Sequence, residues 1–269
     1  HNQSNYKMKT CVFVNVLLWA ATIAVPKIGV PKDIDKVITK SKLTVDVVSD
    51  MTKDIFENIS LSCDGKLDKP ATSLSAPSDD CDKSGLHLLR KGFRDSTKFD
   101  AEGFLGGFFC SNVGTAFEKA FKGKGVNFNI LEKAIKETWF KEYNGDLMPF
   151  IRIFLKPGHD PRVTANSWYT FAVNTEGKRD CTLATEGNEA PLMVKARCGK
   201  NEAYSKFIYG NNPYTDFVIY TLCAWAPDKN TKECVANVPG KKEFKISTDW
   251  NSDSQGVSYL ISAYPKISQ

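Results

Sequence analysis

From Pro149 to the end of the chain, apolar residues recur at every second position in short runs separated by Pro, Gly, Asn or Asp. A period of two predicts strands, here over residues 151–155, 168–173, 192–197, 206–209, 217–223, 234–238, 244–248 and 257–263. Strands at this density predict an antiparallel sandwich or barrel. Upstream the period is helical. Leu131, Ala134, Ile135, Trp139 and Tyr143 line one face of a helix predicted over 130–143, with Asn129 as cap, Glu132 completing a capping box and Asn144-Gly145 as the stop. Val113, Phe117, Ala120 and Phe121 mark a second helix over 113–122, capped by Ser111 or Asn112 and joined to the first through a KGKG turn.

The rest of the N-terminal half is less regular. Residues 25–43 read as an extended leader, 43–58 as a strand followed by a short helix, and 64–85 as a long loop rich in Asp, Ser, Lys, Gly and Pro. No long helical pattern follows Tyr143, which argues against a doubly wound sheet. The expected fold class is therefore α+β: an antiparallel β-sandwich or barrel in the C-terminal half, with helices from the N-terminal half packed on it. Residues 25–269 are expected to form a single domain, β-rich from 149.

Composition adds one exclusion. Hydrophobic residues at 42% and aromatics at 12% specify a packed core. The formal net charge is +5, from 36 basic and 31 acidic residues, and no run of five like charges occurs. That pattern gives no electrostatic footprint for nucleic acid, so none is expected as a partner.

From Met8 the chain reads MKT and then CVFVNVLLWAATIA, a short basic segment followed by about fourteen largely apolar residues that end in small ones. This predicts a cleavable signal peptide within 1–24, with the cut after Ala24. The run falls short of the roughly 17–25 residues of a membrane span, and Pro26, Lys27, Gly29 and Pro31 follow it, so no stable transmembrane anchor is expected. The competing reading is a buried apolar element kept in the mature fold. Secretion into the extracellular space agrees with Asn58-Ile59-Ser60, an N-glycosylation sequon.

Of eight cysteines, Cys11 lies in the leader, which leaves an odd number able to pair in an oxidising compartment. Turn-like segments between Cys223 and Cys234, and between Cys181 and Cys198, mark these as disulfide candidates. Cys63 with Cys81 is the next, which leaves Cys110 as the free or intermolecular thiol. Long spacings and the lack of any CxxC argue against a metal site, and no cofactor is expected.

Candidate chemistry is sparse. His159, in KPGHDPR beside Asp160, has the residue type for a general base, although Pro157, Gly158 and Pro161 equally describe a surface turn. His87, in GLHLLRK, has no neighbouring motif. GxSxG, HExxH, P-loop, GxGxxG and EF-hand patterns are missing, and Lys178-Arg179 is a possible processing pair. The segment from Phe99 to Cys110 concentrates Phe104, Phe108 and Phe109 among glycines, as either a core element or an apolar contact surface. Tyr209 and Tyr214 offer rings for an adaptable binding surface. These features predict a non-catalytic secreted binding protein, of toxin or virulence type, directed at an extracellular protein, glycan or membrane component. The alternatives are a membrane-active toxin that inserts the 99–110 segment and a secreted hydrolase.

Overall fold

In the computed structural model the described residues are 30–57, 87–89, 91–92, 95–143, 147–155, 167, 181–186, 192–198, 201–208, 213–226, 232–238 and 243–266. The first element corrects the extended leader: Lys32–Ser41 is a helix, α1. Its Lys and Asp residues face outward around a narrow apolar stripe that buries Ile34 and Val37, and Lys42 ends it in the left-handed region at φ 50°. Helix α2 (Val45–Phe56) replaces the expected strand and short helix. Thr44 caps it, and Val48, Met51 and Ile55 supply the buried face.

Helices α3 (Ala101–Cys110) and α4 (Asn112–Gly123) meet at a tight corner. Asp100 caps α3 by accepting from the Gly103 amide at 2.9 Å. Ser111 caps α4 by accepting from Gly114 N at 3.0 Å while its hydroxyl donates to Phe108 O at 2.6 Å. A Cβ on Gly114 would lie 1.9 Å from that same carbonyl oxygen, so the corner closes only around glycine. Helix α5 (Phe128–Trp139) begins and ends earlier than its periodicity predicts, because Asn127, not Asn129, accepts from Ile130 N.

Two expected strands are helical. Ile151–Leu155 forms a π-helical turn in which every residue except Arg152 is buried. Residues 217–223 lie inside α6 (Pro213–Trp225), buried along its whole length. A helix buried on all sides has no polar face to reveal a period, and its β-branched and aromatic residues resemble a strand.

Among the described residues the β component is two open three-stranded antiparallel sheets, which do not make a sandwich or barrel. One is β1 (Cys181–Glu186), β2 (Leu192–Cys198) and β3 (Asn201–Phe207). The other is β4 (Glu233–Ala236), β5 (Phe244–Ser252) and β6 (Ser258–Lys266). The coarser α+β class holds, with α1 to α5 ahead of the sheets and α6 between them in the chain. The predicted strand over 168–173 lies outside the described residues.

Helix α6 is the centre of the core, against α2, α4 and the β4–β6 sheet. Its partnership with α5 is reciprocal. Trp139 Nε1 donates to Thr221 Oγ1 at 2.8 Å, and Trp225 Nε1 donates to Thr138 Oγ1 at 2.8 Å. Each threonine passes its own proton to the carbonyl four residues earlier, Phe217 O and Ala134 O. Two buried indole N–H groups are thereby satisfied without water, removing a desolvation cost of about 1–3 kcal/mol each. A disulfide between Cys223 and Cys234, with Cα atoms 5.4 Å apart, fastens α6 to β4.

Candidate functional site

The β4–β6 sheet turns one face to the core and the other outward, and alternation decides which side chain goes where. Cys234 and Ala236, Phe244, Ile246 and Thr248, and Ala263 and Pro265 are buried. The outward set is Glu233 and Val235 on β4, Lys245 and Asp249 on β5, and Ser262, Tyr264 and Lys266 on β6, while Ser247 lies on the same side of β5 but is buried. Registration shifts from Asp249 opposite Ser262 to Trp250 opposite Leu260, so Ile261 is an extra residue in β6. This bulge lets Leu260 and Ala263 both face the core while Ser262 and Tyr264 stay outside.

Polar contacts organise the outer face. Ser262 Oγ donates to Asp249 Oδ2 at 2.9 Å, and Lys232 Nζ lies 3.6 Å from the other carboxylate oxygen. Lys266 pairs with Glu233, whose hydrogen bond raises the lysine pKa. Tyr264 stands half-buried between these groups, opposite Ser247. At the other end of β6, Tyr259 stacks on Tyr143 with centroids 4.9 Å apart, fixing the strand to the end of the helical layer. Burial, with the nearby Glu137 and Asp253 carboxylates, pushes the Tyr143 phenol up to about 12. The face thus carries three lysines, a tyrosine ring, a serine hydroxyl and two carboxylates on one rigid surface. Such a set can hold an anionic, ring-bearing substrate. Sequence reading missed it because the strand predicted over 257–263 stopped before Tyr264 and Lys266. Carrying the same alternation three residues further exposes it.

The residues singled out from sequence are placed elsewhere. Phe104 and Phe108 are buried in an aromatic cluster with Tyr214, Phe217 and Phe150, which corrects their assignment to a contact surface. The physical reason is that their segment is a helix, which directs both rings inward. Tyr214 is buried with them. Phe109 is half-buried, its ring 4.8 Å from that of Phe128. His87 is exposed on a short helical segment, and Cys110 is a free, exposed thiol. Cys181 and Cys198 are direct cross-strand partners of β1 and β2. Asn58, Cys63, Cys81, His159, Lys178, Arg179, Tyr209 and the 1–24 leader lie outside the described residues. Among the described residues, no group of three or more His, Cys, Asp or Glu could hold a metal ion, and no helix is long and apolar enough to cross a membrane.

A groove of about 760 Å³ between α2 and α4 is lined by Asp50, Asp54, Lys119 and Lys124 among apolar residues. Its charges balance, and it contains no histidine, serine or cysteine.

No family model and no curated protein matches the chain. Among solved structures, it is similar to XendoU, described as a splicing-independent snoRNA processing endoribonuclease, with a TM-score of 0.58 and 13% identity. The similarity covers 82% of this chain and 97% of that one. This likeness of fold overturns the expectation of a non-catalytic binding protein, which rested on missing linear signatures. A site assembled from distant positions leaves no such signature. The membrane-active alternative loses its premise, because Phe104 and Phe108 are core residues.

Proposed function

We propose that this protein is an endoribonuclease acting on single-stranded RNA, exported by its leader and using the outer face of β4–β6 as a substrate surface. The observation that carries this reading is the extent of the fold likeness, which takes in almost the whole of an RNA-processing enzyme. It departs from the expectation that nucleic acid is excluded: a small net charge leaves room for a local basic face.

The chemistry asked of such a site is attack of a ribose 2′-hydroxyl on the neighbouring phosphorus. A base must take the hydroxyl proton, an acid must return a proton to the departing 5′-oxygen, and a cation must offset charge on the phosphoryl oxygens. Histidine titrates near neutrality and suits either proton role, so His159 remains the candidate base. Lysines of the sheet face supply positive charge, and the Tyr264 ring offers a surface on which a splayed base can stack.

The test is cleavage of a labelled RNA oligonucleotide beside DNA of the same sequence. RNA is expected to fragment while DNA, which lacks the 2′-hydroxyl, stays whole. A folded preparation that leaves RNA intact across neutral pH sinks the proposal.

Export implies oxidised cysteines. Cys223–Cys234 supports this, and the register that sets Cys181 opposite Cys198 places their Cα atoms within the span a disulfide needs. Intact-mass analysis of protein collected from the secretory medium is expected to show one alkylated cysteine before reduction and seven after it. Seven reactive thiols without reductant would refute both the pairing and the compartment.

A further inference from the structure

We infer that Lys245 and Lys266 are a phosphate-holding pair that grips the backbone of single-stranded RNA on the outer face of the β4–β6 sheet. The inference rests on the reading of the chain as RNA-directed, and deepens it by naming the groups that hold the strand. Register sets the two lysines directly opposite each other on β5 and β6, and both are exposed. Like charges in that relation repel, and sheets ordinarily avoid it.

Among the described residues the neighbouring acids form no ion pair with Lys245, and Glu243, two positions before it, is exposed to solvent. Glu233 is engaged by Lys266, and Asp249 by Lys232 and Ser262. Across β4, Lys245 faces Val235, and among the described residues it has no ion pair. One positive charge on this face is therefore left without an ion pair, next to a second that is paired with a single exchangeable carboxylate. A polyanion supplies what is missing. Its phosphate can neutralise Lys245, and the adjoining phosphate can displace Glu233 from Lys266. The flexible lysine stems act as point charges that follow a backbone and read no sequence.

Exchange at Glu233 gives the inference a signature of its own. The protein holds Lys266 in competition with the ligand, so removing the competitor should tighten binding. The experiment titrates fluorescein-labelled single-stranded RNA of two unrelated sequences against the full chain, by anisotropy over a range of salt. Lys245→Gln is expected to weaken both RNAs alike, by about 3- to 10-fold, and to reduce the slope of log affinity against log salt by about 0.7. Glu233→Gln is expected to strengthen binding several-fold, and Lys119→Gln, in the α2–α4 groove, to change nothing. Thermal unfolding of each variant checks that the fold is retained.

If the wild type binds or cleaves RNA while Lys245→Gln keeps its affinity and slope, the pair is refuted and the ribonuclease reading stands. If Glu233→Gln weakens binding, the competition is refuted. A wild type that neither binds nor cleaves RNA refutes both.

Discussion

Phe108→Ala is expected to remove about 3–5 kcal/mol of unfolding free energy, the range for truncating a fully buried aromatic ring. The Phe108 side chain has no exposure, and its ring lies 5.1 Å from that of Phe217, 5.7 Å from Tyr214 and 5.8 Å from Phe117. Three helices therefore lose a common contact. The corner after α3 limits collapse of the void, because Phe108 O accepts the Ser111 hydroxyl and lies against Gly114. For a chain of this size the loss corresponds to a fall of roughly 6–20 °C in Tm. Denaturant unfolding followed by tryptophan fluorescence reads it directly. The partner measurement is Phe128→Ala, at a ring 39% exposed, where a much smaller change is expected. Equal losses at the two sites would contradict the burial that removes Phe108 from the contact surface.

His159→Gln is expected to lower the rate of RNA cleavage by roughly 10²- to 10⁴-fold, the usual contribution of one positioned proton-transfer group. Glutamine keeps much of the size and one hydrogen-bonding end but cannot exchange a proton near neutrality. RNA affinity should therefore hold while kcat falls. The acidic limb of the pH–rate profile, where a histidine base becomes protonated and inactive, should disappear from the residual activity. Full cleavage by the variant, with the profile unchanged, would take His159 out of the chemistry and leave His87, exposed on its helical segment, as the remaining histidine of the chain after the leader.

What was legible in the sequence follows from how one-sided each environment is. Helices α4 and α5 each bury a single stripe, so Phe117 and Phe121, and Leu131, Ala134 and Ile135, repeat at helical spacing and were readable. Strands β5 and β6 separate Phe244 and Ile246 from Lys245, and Ala263 from Tyr264, and were readable for the same reason. Helix α6 was not, because burial on every side erases the contrast on which a period depends. α1 was hidden by the opposite excess, with so many charges around Ile34 and Val37 that the stripe passed for a linker. Two of the supposed strands being helical also removed the premise for a sandwich. Motif searching could not find the candidate face, since Lys245 and Lys266 are 21 positions apart and are joined only by register.

The extra residue at Ile261 makes β6 a strand read in two frames. Positions after it are assigned to core or solvent by one parity, and positions before it by the other. Deleting that residue would merge the two frames into one: with Asp249 still opposite Ser262 and Trp250 still opposite Leu260, the two β6 residues become chain neighbours on opposite sides, and Ala263, Tyr264 and Lys266 keep theirs. Loss of one residue at this point straightens the strand and leaves the division between core and outer face as it is. Relatives of this chain can therefore be one residue shorter here and still keep the lysine–tyrosine face.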